Sequence, residues 1–186
     1  MANYFEIVSK YKDTGLSLPV RATAHAAGYD LAAAEDIVIP PYESLAEKMW
    51  FDIMNARERI ETSLPEFTLD EMAQLTKELK TKPILISTGM KCHLDNDKYL
   101  ELVIRSSSPL KYWIICANSV GVIDADYYNN PDNEGEIFLQ VINLSPFPIK
   151  IQKGEKIAQG IIKSYFKTED DNTTEQRIGG FGSTTK

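Results

Sequence analysis

The sequence predicts an all-β fold, and two observations support that prediction. Most of the 186 residues fall into short apolar or alternating runs separated by Gly, Pro, Asn and Asp, as in proteins built from short strands and tight turns. The alternation is clearest at residues 149–152, where Ile, Lys, Ile and Gln predict one buried and one solvent-facing side. The predicted strands span residues 4–8, 37–39, 84–90, 99–104, 112–117, 137–142, 149–151 and 157–166. Their spacing favours a sandwich or a barrel.

Residues 44–82 interrupt this pattern with two segments of helical spacing. Each begins with a capping box, Ser44 with Glu47 and Thr68 with Glu71, in which side chains satisfy the first backbone N–H groups of a helix. Apolar residues recur at helical intervals after each cap. We therefore predict an αα-hairpin inserted between two strands. Its apolar stripe either packs on the rest of the domain or offers a docking surface to a protein partner.

Length and composition limit the classes of protein to which the chain can belong. Residues 1–186 suit a single domain, since no linker or repeat divides them. The formal net charge of −7 argues against a general nucleic-acid-binding protein, because a phosphate backbone would be repelled. Neither a targeting segment nor an apolar run long enough to cross a membrane is evident, which indicates a cytoplasmic protein. Cys92 and Cys116 lack metal-site spacing, and we expect both to be reduced.

The most informative stretch is residues 118–127, where an apolar run ends with Asp124 and is followed by Tyr127. In an extended segment Val120, Val122 and Asp124 share one face, because side chains two positions apart point the same way. An acid beside aliphatic side chains is less well solvated, which makes its carboxylate a better base. The pattern is typical of a nucleotide pocket with its own general base. A turn aspartate that caps a hairpin is the alternative.

Five blocks of sequence, spread over almost the whole chain, form one ordered set. They are Ala-Ala-Gly-Tyr-Asp-Leu-Ala-Ala at 26–33, Arg-Ser-Ser-Ser at 105–108, Gly-Val-Ile-Asp-Ala-Asp-Tyr at 121–127, Gly-Glu-Lys-Ile-Ala-Gln at 154–159 and Arg-Ile-Gly-Gly-Phe-Gly-Ser-Thr at 177–184. In order and approximate spacing this set resembles the motifs of trimeric dUTP nucleotidohydrolases (dUTPases) of bacteria and bacteriophages. The resemblance implies a jelly-roll-like β-barrel that forms a homotrimer with shared active sites. It also implies hydrolysis of dUTP to dUMP and pyrophosphate, which limits uracil incorporation into DNA.

By this resemblance, the uracil and sugar are read by residues around the predicted base. Asp124 activates the water that attacks the α-phosphorus, and Tyr127 stacks under the deoxyribose, where a 2′-hydroxyl would collide. The amide of Asn118 and the adjacent hairpin backbone, at Gly121 and Ile123, hydrogen-bond the uracil edge. A narrow hairpin also leaves no room for the 5-methyl group of thymine. The resemblance therefore implies selectivity for dUTP over UTP and dTTP.

The resemblance assigns the phosphates to a second set of residues. Arg105 pairs with phosphate oxygens through its guanidinium, and the hydroxyls of Ser106 and Ser107 follow. Gln159 is a neutral donor to an α-phosphate oxygen. Asp30 holds waters on the Mg²⁺ that the three phosphates chelate, which suits an ion that keeps much of its hydration shell. Taken alone, Arg-Ser-Ser is typical of a solvated loop and Gln159 of a strand-edge amide.

Residues 168–186 are polar and end in a glycine-rich stretch, which predicts a flexible C-terminal arm. The resemblance makes this arm a lid, in which Phe181 stacks on the uracil while Arg177, Ser183 and Thr184 reach the terminal phosphate. A plain disordered tail is the alternative. Arg177 lies one position closer to the aromatic residue than is usual in the family. Residues 128–135 also exceed the usual tyrosine-x-glycine turn, so the rim of the pocket must differ.

Two other functions fit parts of the pattern. A dCTP deaminase shares the fold and the Arg-Ser-Ser block, but it needs a glutamate where this sequence has Gln140, and an amide cannot accept and return a proton near neutral pH. A regulatory binding protein, catalytically idle, would use the helical insertion as its contact surface. Such a protein has no need of Asp124, Tyr127 and Phe181. Hydrolysis of dUTP is therefore the function that the sequence favours.

Overall fold

A computed structural model describes residues 2–42, 70, 82–175, 177 and 179–180. The predicted all-β class is confirmed, since strands predominate in the described residues. Besides two 3-10 turns, they include a short α-helix, α1 (Ser107–Tyr112), and Asp70 is also helical. The strands in chain order are β1 (Tyr4–Ile7), β2 (Val20–Arg21), β3 (Tyr29–Ala32), β4 (Ile37–Ile39), β5 (Ile84–Ser87), β6 (Met90–His93), β7 (Lys98–Ile104), β8 (Ile114–Cys116), β9 (Gly121–Asp124), β10 (Phe138–Asn143), β11 (Ile149–Ile151) and β12 (Lys156–Ser164).

All of the strand pairings in the described residues are antiparallel. The largest sheet has the order β2-β3-β12-β7-β9, and a second sheet has the order β5-β10-β8. Two strand pairs, β1-β6 and β11-β4, complete the set. The longest strand, β12, carries most of the fourth sequence block. It lies between β3, which carries part of the first block, and β7, which ends directly before the second.

One apolar core draws on all of these sheets. Its large, fully buried side chains include Leu31, Ile39, Ile86, Leu100, Leu102, Ile114, Ile137, Leu139, Ile151 and Ile157. The alternation predicted at residues 149–152 is confirmed, because Ile151 is buried while Lys150 and Gln152 are exposed. Asn143 is a buried polar residue at the end of β10, where its amide donates to the carbonyls of Ile39 and Phe147. These hydrogen bonds compensate for removing the amide from water.

Two predicted strands were wrong in their bounds. The run at 84–90 is divided at Gly89, whose φ of 66° belongs to the left-handed region, and a Cβ there would lie 2.6 Å from Leu16 Cδ1. Only glycine fits such a position, so the chain turns and continues as β6. The run at 112–117 begins instead as α1, in which Pro109 lies in the first turn, where its missing N–H costs nothing. That helix ends at Trp113, with φ of 55°, before β8 starts.

The predicted insertion at residues 44–82 lies outside the described residues, apart from Asp70 and Lys82. Strands β2 and β3 were not predicted, because the block at 26–33 is small-residue-rich and carries little apolar alternation. In the part of the chain that the structure describes, no helix has both the length and the hydropathy needed to cross a bilayer.

Candidate active site

Three of the five sequence blocks meet around one carboxylate. Strand pairing sets Gln159 of β12 opposite Asp30 of β3, and Arg105 directly follows β7, the other neighbour of β12. Asp30 Oδ1 accepts a hydrogen bond from Gln159 Nε2 at 3.3 Å and lies 3.4 Å from Arg105 Nε. Asp30 Oδ2 accepts one from Lys156 Nζ at 3.0 Å. We call Asp30, Arg105, Lys156 and Gln159 the Asp30 cluster.

The Asp30 cluster combines a buried acid with partly exposed cations. The Asp30 side chain is 1% exposed, whereas those of Arg105 and Lys156 are 32% and 46% exposed. Burial alone would raise the pKa of Asp30, but hydrogen bonds from Lys156 and Gln159 and the charge of Arg105 outweigh it, so the pKa lies below its usual value. The carboxylate is therefore ionised at neutral pH, and the solvent-facing cations leave the cluster well suited to an anionic ligand.

Lys156 was not predicted as a site residue. The signal for it in the sequence is a basic residue inside the block at 154–159, two positions after Gly154. Close packing under the cluster also constrains Gly28, where a Cβ would lie 3.1 Å from Gln159 Cβ. A larger residue at position 28 would displace Gln159, so the first block positions the fourth by leaving space for it.

Ser106 and Ser107 lie beside the Asp30 cluster, at the start of α1, and both are exposed. The turn is closed by the N–H of Ser108, which donates to the carbonyl of Arg105 at 2.9 Å. Ser108 itself is buried. The two exposed hydroxyls thus face solvent next to the Arg105 guanidinium, in keeping with the predicted donor set.

Asp124 and Tyr127 lie at the far end of β9, where the strand passes into a 3-10 turn (Ala125–Tyr127). The Tyr127 hydroxyl donates to the carbonyl of Glu136 at 3.1 Å and accepts from Asn133 Nδ2 at 2.8 Å. Burial raises the pKa of the Tyr127 phenol, and the Asn133 hydrogen bond opposes this only in part. Tyr127 is therefore a neutral, fixed ring. The alternative of a capping aspartate is not supported, because the Asp124 side chain makes no cap hydrogen bond.

The predicted common face of Val120, Val122 and Asp124 is exposed. The two valines are 42% and 58% exposed, and the Asp124 side chain is 49% exposed. The expectation that aliphatic neighbours shield this acid is therefore not met within a single chain. Its closest charged neighbour is instead a guanidinium.

That guanidinium belongs to Arg177 of the C-terminal arm. Its Nη2 lies 2.7 Å from Asp124 Oδ2, its Nε lies 2.9 Å from Asp126 Oδ1, and its central carbon lies 5.7 Å from the centre of the Tyr127 ring. We call Asp124, Asp126, Tyr127 and Arg177 the Asp124 cluster. The arm arginine thus contacts the predicted base rather than the Asp30 cluster. Phe181, Ser183 and Thr184 lie outside the described residues.

The turn between β8 and β9 carries the residues predicted to bind the uracil edge. The predicted hairpin is not formed, because β8 pairs with β10 and β9 pairs with β7, so the turn links two sheets. The turn places Ser119 in the left-handed region, with φ of 62°, and the N–H of Val120 donates to the carbonyl of Asn118 at 2.7 Å. The Asn118 side chain is exposed, and its Oδ1 accepts from Cys116 Sγ at 2.9 Å. Gly121 packs closely on β7, since a Cβ there would lie 3.2 Å from Leu102 Cβ. Asn118 thus lies in the turn before β9, and Gly121 and Ile123 lie in β9 itself, the strand that ends in Asp124.

The two clusters lie far apart within one chain. Strand β9 runs antiparallel to β7 and sets Asp124 opposite Tyr99, whereas Arg105 lies six residues further along. At about 3.3 Å per residue, this separates Asp124 from Arg105 by roughly 20 Å along the strand. A single nucleotide triphosphate could not place its α-phosphorus against both groups of the same chain.

Comparison with known proteins gives one consistent family. The family model for dUTPases matches residues 68–185. Over 182 residues the chain is 37% identical to the deoxyuridine 5′-triphosphate nucleotidohydrolase of Lactococcus lactis, a match that covers 97% of this chain and 95% of that protein. The crystal structure of a dUTPase from Streptococcus mutans is similar with a TM-score of 0.66 and 33% identity, over 89% of this chain and 98% of that one. These similarities agree with the predicted jelly-roll-like barrel.

A more distant structure, a dUTPase variant from phage phi11 of S. aureus, is described as coordinating a structural Mg(II) ion. It has a TM-score of 0.58 and 16% identity, over 94% of this chain and 98% of that one. At this identity the similarity shows the fold alone. In the part of the present chain that is described, no three His, Cys, Asp or Glu side chains lie close enough to hold a metal directly.

Proposed function

The chain belongs to the dUTPase family, and we propose that it hydrolyses its substrate at a site made from the Asp30 cluster of one subunit and the Asp124 cluster of another. It is a nucleotide hydrolase that acts on dUTP. The observation that carries the proposed site is the meeting of Asp30, Arg105 and Gln159, which come from three blocks that lie far apart in the sequence. A well-packed apolar core does not require a buried carboxylate that is paired with two cationic side chains.

In the proposed mechanism, the Asp30 cluster binds the triphosphate. Arg105 and the adjacent hydroxyls of Ser106 and Ser107 donate to phosphate oxygens, and Gln159 donates to the α-phosphate, which stabilises the charge that develops there. Lys156 is a further donor, since its exposed side chain can leave Asp30 for an incoming phosphate. These groups neutralise a ligand that a chain of net charge −7 would otherwise repel.

The donor chemistry fits an Mg²⁺ ion held indirectly. Mg²⁺ keeps several waters and needs only one or two carboxylates, and Asp30 supplies one ionised carboxylate beside the proposed phosphate site. When bound, the ion would neutralise phosphate charge. Asp30 would hold its waters through Oδ2 once Lys156 has turned to the phosphates. The absence of three clustered ligands among the described residues is consistent with such outer-sphere binding.

Asp124 is the proposed general base. A water oxygen attacks the α-phosphorus while its proton passes to the carboxylate, and the bond to pyrophosphate breaks, which leaves dUMP. Tyr127 offers a neutral ring, fixed by Asn133 and Glu136, on which a deoxyribose packs. Asn118 and the backbone of β9 at Gly121 and Ile123 hold the uracil. The proposal also has Phe181, Ser183 and Thr184 of the arm cover the nucleotide. These three residues lie outside the described part of the chain.

We propose a homotrimer, as in the dUTPases that the sequence resembles, and the separation of the two clusters supports an assembly of more than one copy. A base roughly 20 Å from Arg105 along β7 can act on the same nucleotide only if a second copy supplies it. Val120 and Val122, exposed beside Asp124, offer an apolar contact for that copy. We therefore assign each active site to more than one subunit. Covering the valines would also give Asp124 the apolar neighbours that the sequence predicted.

The deaminase alternative depends on Gln140. This residue lies in β10 opposite Leu85, and its carbonyl accepts the N–H of Ala117 at 2.9 Å. A neutral amide cannot carry the protons of ammonia loss. The test is to incubate the protein with dUTP, dTTP, UTP and dCTP and to measure pyrophosphate and ammonia. Pyrophosphate and dUMP from dUTP are expected, and ammonia from dCTP at a comparable rate would overturn the assignment.

The remaining assignments concern organisation. We propose one dUTPase-like domain over residues 1–186, with a helical insertion at 44–82 and a lid at 168–186, working in the cytoplasm. The insertion is a packed embellishment or a docking surface for a protein partner. Replacing residues 46–81 by a short Gly/Ser connection should leave hydrolysis within about tenfold, since loops tolerate such changes. Loss of the trimer in light scattering would instead make the insertion an assembly element.

A further inference from the structure

Residues 128–135 form a rigid loop between Tyr127 and β10, and the side chain of Asn130 organises it. Asn130 is 5% exposed. Its Nδ2 donates to the carbonyl of Tyr127 at 2.9 Å, and its Oδ1 accepts from the N–H groups of Asp132 and Asn133 at 3.1 and 3.3 Å. Gly135 closes the loop with φ of 81°, where a Cβ would lie 2.6 Å from the Tyr127 carbonyl oxygen. This loop is therefore organised before any ligand arrives.

The loop is also fastened to the N-terminal part of the chain. Glu134 accepts hydrogen bonds from the N–H and the hydroxyl of Ser9 at 3.2 and 3.0 Å, and it lies 3.6 Å from Lys91 Nζ. Lys91 in turn donates to Asn129 Oδ1 at 2.5 Å. Fixing the loop at both ends means that its outward-facing side chains lose little entropy when they bind something.

Two side chains of the loop face the active-site elements. Asn133 donates to the Tyr127 hydroxyl, as described above. Asp132 Oδ2 accepts the backbone N–H of Gly180 at 2.7 Å, a short distance typical of a hydrogen bond to a charged group. Gly179 and Gly180 are both buried, although the described arm residues before 176 are exposed. The arm thus leaves solvent where it meets this loop.

We propose that Asp132 is a positioning residue for the C-terminal arm: its carboxylate holds the backbone of Gly180. Together with Arg177 on Asp124 and Asp126, it fixes the arm at two points three residues apart. In the sequence, Gly180 directly precedes Phe181. The inference deepens the proposed function in one respect, since an effect on turnover is expected only if the arm covers the nucleotide.

The first test reads the contact without substrate. Backbone hydrogen exchange of the C-terminal peptide is measured in the unmodified full chain and in Asp132→Ala, Asp132→Asn and the control Asp13→Ala, which removes an exposed carboxylate from a turn elsewhere. Loss of a hydrogen bond to a charged group should speed exchange about tenfold in Asp132→Ala. Asp132→Asn keeps an acceptor oxygen and should lie between, with Asp13→Ala unchanged. Unchanged exchange in Asp132→Ala overturns the proposal.

The second test separates KM from kcat. An arm that is already held by Asp132 loses less conformational entropy when dUTP binds. Loss of this contact in Asp132→Ala should therefore raise KM for dUTP about fivefold, while kcat stays within about twofold. General damage to the fold would lower kcat and leave KM alone. Faster exchange with an unchanged KM would overturn the link to catalysis. Absence of hydrolysis by the unmodified protein would overturn the proposed function, and the exchange data would still decide the role of Asp132.

A cross-link tests the contact directly. A Cβ built at Gly180 lies 3.7 Å from Asp132 Oδ2, so cysteine there points at the loop. The variant Asp132→Cys/Gly180→Cys is oxidised and digested, and a disulfide that joins the peptides containing positions 132 and 180 is expected. Each single variant controls for Cys92 and Cys116, which are free. Absence of this disulfide from the double variant would overturn the contact.

Discussion

The Asp30 cluster and the Asp124 cluster both pair a carboxylate with a guanidinium, but they hold the pair in different ways. Asp30 is 1% exposed, and its partners come from adjacent strands of one sheet. Asp124 is 49% exposed, and its partner Arg177 comes from the arm, 53 residues away in the sequence. The buried Asp30 carboxylate is costly to leave unpaired because water cannot solvate its charge. The half-exposed Asp124 carboxylate can exchange its partner for water or ligand, although the Arg177 side chain itself is only 14% exposed.

We propose that this difference gives the two clusters different tasks. The Asp30 cluster is a permanent part of the sheet, and its exposed cations can bind an anion without the acid moving. The Asp124 carboxylate has one oxygen on Arg177, so a substrate that attracts the guanidinium would release it. A general base needs such an available oxygen at the moment of reaction.

Asp124→Asn should have the largest effect on activity and almost none on stability. The amide keeps the shape but cannot take a proton, so kcat should fall by at least about a hundredfold, the usual scale for a general base. Binding of a non-hydrolysable dUTP analogue should be retained, which calorimetry can measure. Because the side chain is half-exposed, thermal unfolding should shift little. Near-normal turnover would contradict the assigned base.

Truncation after Asp171 removes Arg177 and Gly180 together with the proposed lid. We expect kcat/KM to fall about fiftyfold, because water exclusion and phosphate contacts are lost together. The melting temperature should stay the same, since none of the described core residues lies beyond Ile162. A fully active truncated protein would show that the arm does not cover the site. An unchanged KM would separately show that Asp132 does not act through the arm.

Asp30→Asn should be the most damaging of these changes to stability. It leaves Arg105 and Lys156 facing each other without the anion between them, at a cost of about 2 kcal/mol in unfolding free energy. Asp97→Asn is the matched control, because Asp97 also pairs with a lysine, Lys98, but is 66% exposed. Urea unfolding of both variants measures the difference. Equal losses would mean that burial does not distinguish the two kinds of pair.

A comparison of the unmodified protein with Asp30→Asn also gives a prediction about pH. The folded-state pKa of Asp30 lies below its unfolded value of about 3.9, so its stabilising contribution is present above that value and is lost as the pH falls through the folded pKa. The difference in stability between the unmodified protein and Asp30→Asn should therefore be constant from neutral pH to about pH 5 and shrink below about pH 4. Urea unfolding at four pH values measures it. A difference that grows towards low pH would reverse the sign and contradict the pairing.

Local pattern predicted much of the fold correctly. The runs at 37–39 and 149–151 form strands with the predicted bounds, because alternation and β-branched residues report burial on one side of a sheet. Errors arose where one residue redirects the chain, as at Gly89 and Trp113. The block at 26–33 was found as a motif but not as a strand, since its small residues give no periodic signal.

The sequence by itself determined the strand-rich class, the five blocks and the residue types at the site, because these depend on periodicity and on the order of residues along the chain. The tertiary structure alone decided that Lys156 binds Asp30, that Arg177 binds Asp124, and that Asp132 accepts the backbone N–H of Gly180. These contacts join positions 126, 53 and 48 residues apart. Strand register and the path of the loops bring such positions together, and neither can be predicted from a local sequence pattern.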